Sequence, residues 1–167
     1  MARPRSRPRT LLVLLLGALL GGCAGGDYAM KFVPYAAPPA LGPNETLIYV
    51  FREDSAFGGA LKLDIIDNDT VVAVLTPATF SYFVVPSGEH EVVGYMSRPV
   101  MHYRVRSAPG KTVYLFCRMG YASGMFMEPI DEARARQFLS QFKYTEIEVK
   151  GAKAKMDYKA YYDKLFR

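Results

Sequence analysis

The stretch ALKLDIIDNDTVVAVL, residues 60–75, carries the clearest structural signal in this chain. From Ala60 to Ile66, apolar and polar side chains alternate, which is the period of a half-buried β-strand. The turn formers Asp67-Asn68-Asp69 follow, and Thr70–Leu75 returns as a second apolar strand. The stretch therefore predicts a β-hairpin.

Short segments of the same character lie on both sides of this hairpin. Thr46–Arg52 is rich in β-branched and aromatic residues, and Thr79–Val85 is apolar on both faces, which predicts a central strand. Turn residues separate these from further strand candidates at 90–96, 101–107, 111–118 and 120–127. About seven to eight strands at a spacing of roughly 10 residues predict a mainly β fold, an antiparallel sandwich or barrel, of which we expect the antiparallel β-sandwich.

The hydrophobic period changes towards the C-terminus. Apolar residues at helical spacing, with Asp131 and Glu132 in the first turn, predict a helix at about 130–142. Tyr144–Val149 reads as a last strand, so we assign residues 46–149 to the β-sandwich domain. Residues 150–167 again place apolar residues at helical spacing and predict a second short C-terminal helix.

The N-terminal segment has the features of a secretory signal. Four arginines, at positions 3, 5, 7 and 9, precede an unbroken apolar run from Leu11 to Leu20. This run is shorter than the roughly 20 apolar residues that span a bilayer. Leu20-Gly21-Gly22-Cys23 resembles the lipobox of bacterial lipoproteins, in which the cysteine thiol is acylated and the chain is cut before it. The resemblance implies a lipoprotein signal peptide at 1–22 and acylation, palmitate included, at Cys23.

Residues 23–45 connect this cysteine to the folded region. They show little periodicity and contain prolines at positions 34, 38, 39 and 43. Because proline lacks a backbone donor and favours extended chain, we predict a lipidated N-terminus and a flexible tether. The apolar residues between Tyr28 and Tyr35 are expected to dock on the domain or on the membrane surface. Ala24 resembles the residue found there in lipoproteins sorted to the outer membrane of Gram-negative cells, which implies, for such a cell, a periplasm-facing domain on that membrane.

The charge balance bears on the class of partner. Four of the 21 basic residues lie in the signal segment, so the chain from Cys23 onward carries a net charge of about +1 rather than +5. The high isoelectric point therefore does not support a nucleic-acid partner. Half of the residues are apolar, which is typical of a globular domain with a real core.

A family resemblance covers Ile48 to about Leu139. The first strand ends in an aromatic residue and Arg52, a hairpin surrounds Asn68, and Val85–Val92 reads VPSGEHEV. These features resemble a domain of unknown function that recurs in bacterial lipoproteins, although Asn68 stands where glycine is more typical. The last phrase is also similar to β-sandwich repeats named for a Pro-Glu-Gly-Ala motif. The resemblance implies a β-sandwich without catalytic residues.

Two function classes remain open. In the first, the domain is a non-catalytic binding or structural module of the cell envelope, attached to the membrane by lipid on Cys23 and contacting an envelope protein or glycan. Its predicted contact residues are Arg52, Tyr121, Met125 and Phe126, because aromatic, methionine and arginine side chains make adaptable contact surfaces.

The alternative is a small periplasmic enzyme or metal-binding protein that uses His90, His102 or Cys117. It requires these side chains to converge with carboxylates in one cleft. Cys117 lies in an apolar strand pattern, which favours a buried and inert thiol over a nucleophile. We therefore predict no catalytic residue, no metal and no cofactor.

Overall fold

The computed structural model describes residues 28–96, 99–120 and 124–149 of the chain. The predicted signal peptide 1–22, the lipidation residue Cys23, the start of the tether and the predicted helix at 150–167 lie outside these ranges. So does Tyr121, one of the predicted contact residues.

The described residues form two β-sheets and one helix. The strands are β1 (Tyr28–Phe32), β2 (Glu45–Arg52), β3 (Leu63–Asp67), β4 (Thr70–Leu75), β5 (Thr79–Pro86), β6 (Glu89–Tyr95), β7 (Pro99–Arg106), β8 (Thr112–Gly120), β9 (Gly124–Pro129) and β10 (Lys143–Val149). A six-stranded sheet has the order β1-β10-β5-β2-β8-β9, and a four-stranded sheet has the order β4-β3-β6-β7. The prediction of a mainly β fold is confirmed.

The strand count and the strand directions differ from the prediction. Ten strands are present in the described ranges, not seven to eight. The six-stranded sheet is mixed, because β2 pairs with β8 in parallel and β10 pairs with β5 in parallel. Between β2 and β8 the chain builds the whole four-stranded sheet, which supplies the long crossover that a parallel pair requires.

Strand β1 corrects the prediction that residues 23–45 are a tether throughout. It pairs antiparallel with β10, from Tyr28 opposite Val149 to Phe32 opposite Thr145. β10 meets β5 only at Lys143 and Tyr144. Beyond that point β1 and β10 cover the outer face of the four-stranded sheet, where Tyr28, Met30 and Ile147 pack on Ile66, Val71, Val74 and Val93.

Strand β2 lies at the centre of the packing. Every residue from Thr46 to Arg52 is buried, so both faces of this strand are covered. Ile48 and Val50 belong to the cluster between the two sheets. Tyr49 and Phe51 face the opposite way, into an aromatic cluster that also contains Phe80, Phe116 and Tyr144.

The helix α1 (Glu132–Gln141) closes this aromatic cluster. Asp131 caps its N-terminus by accepting a hydrogen bond from the Arg134 backbone N–H at 2.8 Å. Phe138 stacks on Phe116 with ring centroids 4.8 Å apart. The helix predicted at about 130–142 is therefore confirmed. In the part of the chain that the structure describes, no helix has the length and apolar character needed to cross a membrane.

The close packing of β6 against its neighbours gives a test of the sandwich. A methyl group added at Gly94 would lie 2.6 Å from Met101 Cγ and 3.1 Å from Leu63 Cδ1. We expect Gly94→Ala to lower the free energy of unfolding by about 2 kcal/mol, because the buried side chains have to shift. Urea unfolding followed by circular dichroism measures the change.

The Met101→Ala variant supplies the control for Gly94→Ala. It removes the atoms that the new methyl group meets, so Gly94→Ala should cost less in that background than in the wild type. Equal costs in the two backgrounds would contradict the packing of Gly94 against Met101.

Candidate functional site

An open groove of about 570 Å³ lies on the outer face of the four-stranded sheet, where β1 begins. It is lined by Tyr28, Ala60, Leu61, Lys62, Asp64, Tyr95 and Met96. Tyr28 comes from β1, Asp64 from β3 and Tyr95 from β6, while residues 60–62 belong to the loop that precedes β3. Aromatic, aliphatic, anionic and cationic side chains thus meet at one surface.

Asp64 is the acidic side chain of this groove. The Tyr28 hydroxyl donates a hydrogen bond to its Oδ2 at 2.6 Å. Burial raises the pKa of Asp64, while the Tyr28 hydrogen bond and the nearby Lys62 oppose that rise. Burial and then the Asp64 carboxylate also raise the pKa of Tyr28, so its hydroxyl stays protonated and donates. Because burial disfavours the ionised carboxylate, ionisation of Asp64 weakens the folded state. Titratable groups with shifted pKa values concentrate at functional sites.

The loop 53–62 forms one wall of the groove. Its side chains Phe57 and Leu61 are 38% and 53% exposed, and Leu61 lines the groove. Three hydrogen bonds fix the described loop to β8. The Glu53 N–H donates to the Cys117 carbonyl at 3.0 Å, Ser55 Oγ donates to the Met119 carbonyl at 2.8 Å, and the Met119 N–H donates to Glu53 Oε2 at 2.7 Å.

Arg52 holds this loop from the inside. Its side chain is fully buried, and its two terminal nitrogens donate to the backbone carbonyls of Leu61 at 2.7 Å, Gly58 at 2.8 Å and Leu75 at 2.9 Å. Its Nε has no partner among the described residues, and burial lowers the pKa of the guanidinium. The prediction that Arg52 contacts a partner directly is wrong in this structure, since the whole side chain is inside. Arg52 instead positions the wall of the groove.

The other predicted contact residues lie elsewhere. Met125 and Phe126 are half-buried on β9, the edge strand of the six-stranded sheet. Met125 packs against the cluster between the sheets. The Arg118 guanidinium lies 5.3 Å from the centre of the Phe126 ring, a cation–π contact. Neither residue lines the groove, so the structure does not bring them together with Arg52.

His90 is engaged in a buried polar cluster at the far end of the four-stranded sheet. Its Nδ1 lies 2.9 Å from Asp67 Oδ1, and its Nε2 lies 2.7 Å from the Pro86 carbonyl oxygen. Asn68 adds a backbone link, since its Oδ1 accepts from the Glu91 N–H at 3.1 Å. These contacts join the β3–β4 turn to the β5–β6 turn, which is a structural role.

His102 and Cys117 do not join His90. His102 pairs with Val93 on the outer face of the sheet, with its side chain 67% exposed, whereas His90 faces inward. Cys117 is fully buried between the sheets, and burial raises the pKa of its thiol to about 12. The described residues contain no group of three or more His, Cys, Asp or Glu side chains placed to hold a metal ion. The convergence that the enzyme or metal alternative requires is therefore not seen in the described ranges.

The groove residues were not predicted from the sequence. Asp64 fits the solvent-facing half of an alternating strand, and nothing in that pattern distinguishes a groove from open solvent. Tyr28 lies in the proline-rich region that the sequence assigns to a tether. The one usable signal is the expectation that apolar residues between Tyr28 and Tyr35 dock on the domain or the membrane.

Replacement of Arg52 tests its hold on the groove wall. Arg52→Met leaves three backbone carbonyls without their donor, and we expect the free energy of unfolding to fall by about 3 kcal/mol. Residues 53–62 should also exchange their amide hydrogens faster. Urea unfolding and hydrogen exchange measure the two effects. Arg104→Met, on an exposed side chain, should stay within about 0.5 kcal/mol of wild type; similar losses for both variants would contradict the proposed role.

The raised pKa of Asp64 leads us to expect that the stability of the protein depends on pH. The folded protein holds the Asp64 proton more tightly than the unfolded chain, so this contribution to stability falls as pH rises through the raised pKa. Asp64→Asn removes that loss, and its advantage over wild type should grow from pH 4 to pH 7. Tyr28→Phe removes the donor to the carboxylate and should make the loss with rising pH larger. Urea unfolding at several pH values measures the free energy of unfolding of each protein. If Asp64→Asn differed from the wild type by the same free energy at every pH, this account would be ruled out.

Comparisons with protein-family models, with curated protein sequences and with solved structures find no match to this chain. The resemblance to a lipoprotein domain of unknown function therefore stays a prediction from short motifs, and the function has to be argued from the chain's own residues.

Proposed function

We propose that this chain is a bacterial lipoprotein, anchored to the outer membrane by acyl chains on Cys23, whose β-sandwich is a non-catalytic binding module of the cell envelope. The groove beside β1 is its contact surface. The partner is an envelope protein or a glycan. The observation that carries the proposal is that Tyr28, which follows Cys23 closely in the sequence, lines the groove.

The groove lies at the end of the domain from which the N-terminal segment leaves. Tyr28 lines the groove and begins β1, and only four residues lie between it and Cys23. The five residue steps from Cys23 to Tyr28 span at most about 18 Å when the chain is fully extended. An anchor at Cys23 therefore keeps the groove close to the membrane surface and to whatever lies on it.

The composition of the groove supports recognition of an envelope partner. The rings of Tyr28 and Tyr95, together with Leu61, offer flat apolar area, while Asp64 and Lys62 offer an acceptor and donors. A few polar groups set among apolar ones are typical of sites that orient a ligand. Sugar rings and peptide segments both present this mixture of apolar faces and hydrogen-bonding groups.

Anchoring supplies the physical advantage of such a module. Each buried methylene of an acyl chain contributes about 0.8 kcal/mol, so more than one chain makes attachment stable. A module confined to a surface meets a neighbouring partner at a raised effective concentration without any additional contact. A shallow groove with modest intrinsic affinity is sufficient under these conditions.

Metabolic labelling with a palmitate analogue tests the anchor. Wild-type protein should incorporate the label, gain the mass of its acyl chains and fractionate with the outer membrane. Cys23→Ser should lose the label and the acyl mass, because it removes the predicted acceptor thiol, and should move to the soluble fraction.

The matched control for Cys23→Ser is the other cysteine of the chain. Cys117→Ala alters a thiol that is fully buried in the core and should keep both the label and the membrane fraction. A wild type without acyl mass would overturn the proposed anchor.

A further inference from the structure

The loop 53–62 carries an uncharged, apolar tip. Residues 56–61 read AFGGAL, and no polar side chain lies among them. Four large apolar side chains are exposed in the part of the chain that the structure describes, and two of them, Phe57 and Leu61, belong to this tip of six residues. The tip therefore presents apolar surface to whatever lies outside the domain.

Much of the backbone of the tip is bonded to the protein itself. From inside the domain, Arg52 donates to the carbonyls of Leu61 and Gly58. Three further bonds join N–H groups of the tip to oxygens of the same loop: Gly59 to the Ala56 carbonyl at 3.1 Å, Leu61 to the Gly58 carbonyl at 2.9 Å, and Phe57 to Ser55 Oγ at 3.2 Å. Contact with a surface that offers few hydrogen bonds, such as lipid, costs less when backbone groups are already paired.

The tip is fixed to the domain before it meets a partner. Ser55 Oγ, just before the tip, donates to the Met119 carbonyl of β8. Gly58 lies against methionine side chains, since a Cβ atom added there would lie 3.3 Å from Met119 Cε and 3.4 Å from Met96 Cε. A preformed contact surface loses little conformational entropy when it is buried. Phe57 and Leu61 are therefore presented from a fixed base.

The tip lies on the side of the domain where the chain comes in from Cys23. Leu61 and Tyr28 line the same groove, and the chain from Cys23 to Tyr28 spans at most about 18 Å when it is fully extended. With acyl chains on Cys23, as proposed above, a lipid surface lies within reach of the tip. This step rests on the proposed function, whereas the apolar character of the tip does not.

Charge does not supply the attraction to lipid at this loop. The stretch 52–64 contains three acidic and two basic side chains: Arg52, Glu53, Asp54, Lys62 and Asp64. Since Arg52 is fully buried, Lys62 is the exposed basic side chain of this stretch, and it stands among the three acids. Arg98, two residues after Met96, lies outside the described residues. We therefore expect burial of apolar surface, rather than attraction to anionic headgroups, to drive the contact.

The size of the apolar tip favours lipid over a protein surface. A stable protein interface buries about 800 Å² on each partner. Phe57 and Leu61, which are only partly exposed, offer far less than this area. A lipid surface that is already held nearby needs only local burial, because the anchor supplies the rest of the attachment.

We propose that the tip of the loop 53–62 inserts Phe57 and Leu61 into the headgroup region of the membrane that holds Cys23. The domain then contacts the lipid at two points, the acylated N-terminus and this loop. Leu61 also lines the groove, so the groove lies at the level of the headgroups and a partner reaches it along the membrane surface.

Tryptophan fluorescence tests the insertion, because the chain contains no tryptophan of its own. Phe57→Trp places a single reporter in the tip and keeps an aromatic ring there. The protein used is residues 23–167, which contain every described residue and lack the apolar run 11–20, a segment that would itself bind lipid. The Cys23 thiol is coupled to a maleimide phospholipid in phosphatidylcholine vesicles, and the fully buried Cys117 does not compete.

Brominated phosphatidylcholines quench tryptophan on contact and so report its depth. We expect quenching of Phe57→Trp by roughly half, and stronger quenching by bromine near the headgroup end of the acyl chain than near its methyl end. Adding Leu61→Ser should lower the quenching about threefold, because it removes part of the apolar contact. Phosphatidylglycerol in place of a third of the lipid should leave the quenching unchanged; a severalfold rise would contradict contact by apolar burial.

Arg106→Trp supplies the matched control on the same tethered protein. Arg106 pairs with Glu89 at the opposite end of the four-stranded sheet, and its side chain is 76% exposed. A tryptophan there should not be quenched. Equal quenching of Arg106→Trp and Phe57→Trp would overturn the proposal. A blue shift of Phe57→Trp emission without quenching by brominated lipid would also overturn it, since a second copy of the chain would then cover the tip.

The outcome is separate from that of the proposed anchor. Attachment to the vesicle is made chemically at Cys23, so the quenching does not depend on acylation in the cell. Palmitate labelling reads the anchor alone, and either result can fail while the other holds.

Discussion

The two-sided burial of β2 is the constraint on which the rest of this structure depends. A strand with every residue from Thr46 to Arg52 buried has to be covered on both faces. The four-stranded sheet covers the face of Ile48 and Val50, and α1 helps to cover the face of Tyr49 and Phe51. The parallel neighbour β8 and the antiparallel neighbour β5 then supply backbone hydrogen-bond partners along the two edges of β2.

Arg52 connects this central strand to the surface. Its guanidinium ends the buried run of β2 and donates to three carbonyls, two of which belong to the loop 53–62. Hydrogen bonds from a charged donor are stronger than neutral ones, so the loop 53–62 gains a fixed internal support. The wall of the groove is thereby tied to the most buried part of the fold.

Local patterns predict the elements whose partners are near in sequence. The hairpin around Asp67-Asn68-Asp69, with positive φ at Asn68 and Asp69, follows from turn chemistry alone. β1 could not be predicted in this way, because its partner β10 lies at the other end of the described chain and its own proline-rich surroundings predict a tether. The groove shares this limit, since β1, β3, β6 and the loop that precedes β3 meet only after both sheets have formed. For the same reason the sequence does not show whether Arg52 is buried or exposed.

The pairing of β1 with β10 has a mechanical consequence. The chain enters at Tyr28 and leaves at Val149, which face each other across the same end of an antiparallel ladder. A load applied between the two chain ends therefore pulls along the hydrogen bonds and breaks them one pair at a time, as a zipper opens. A load between Tyr28 and a point deep in the domain would instead have to shear the whole ladder at once. The same strand is thus weak under a load between the two chain ends and strong under a load that runs from Tyr28 into the core.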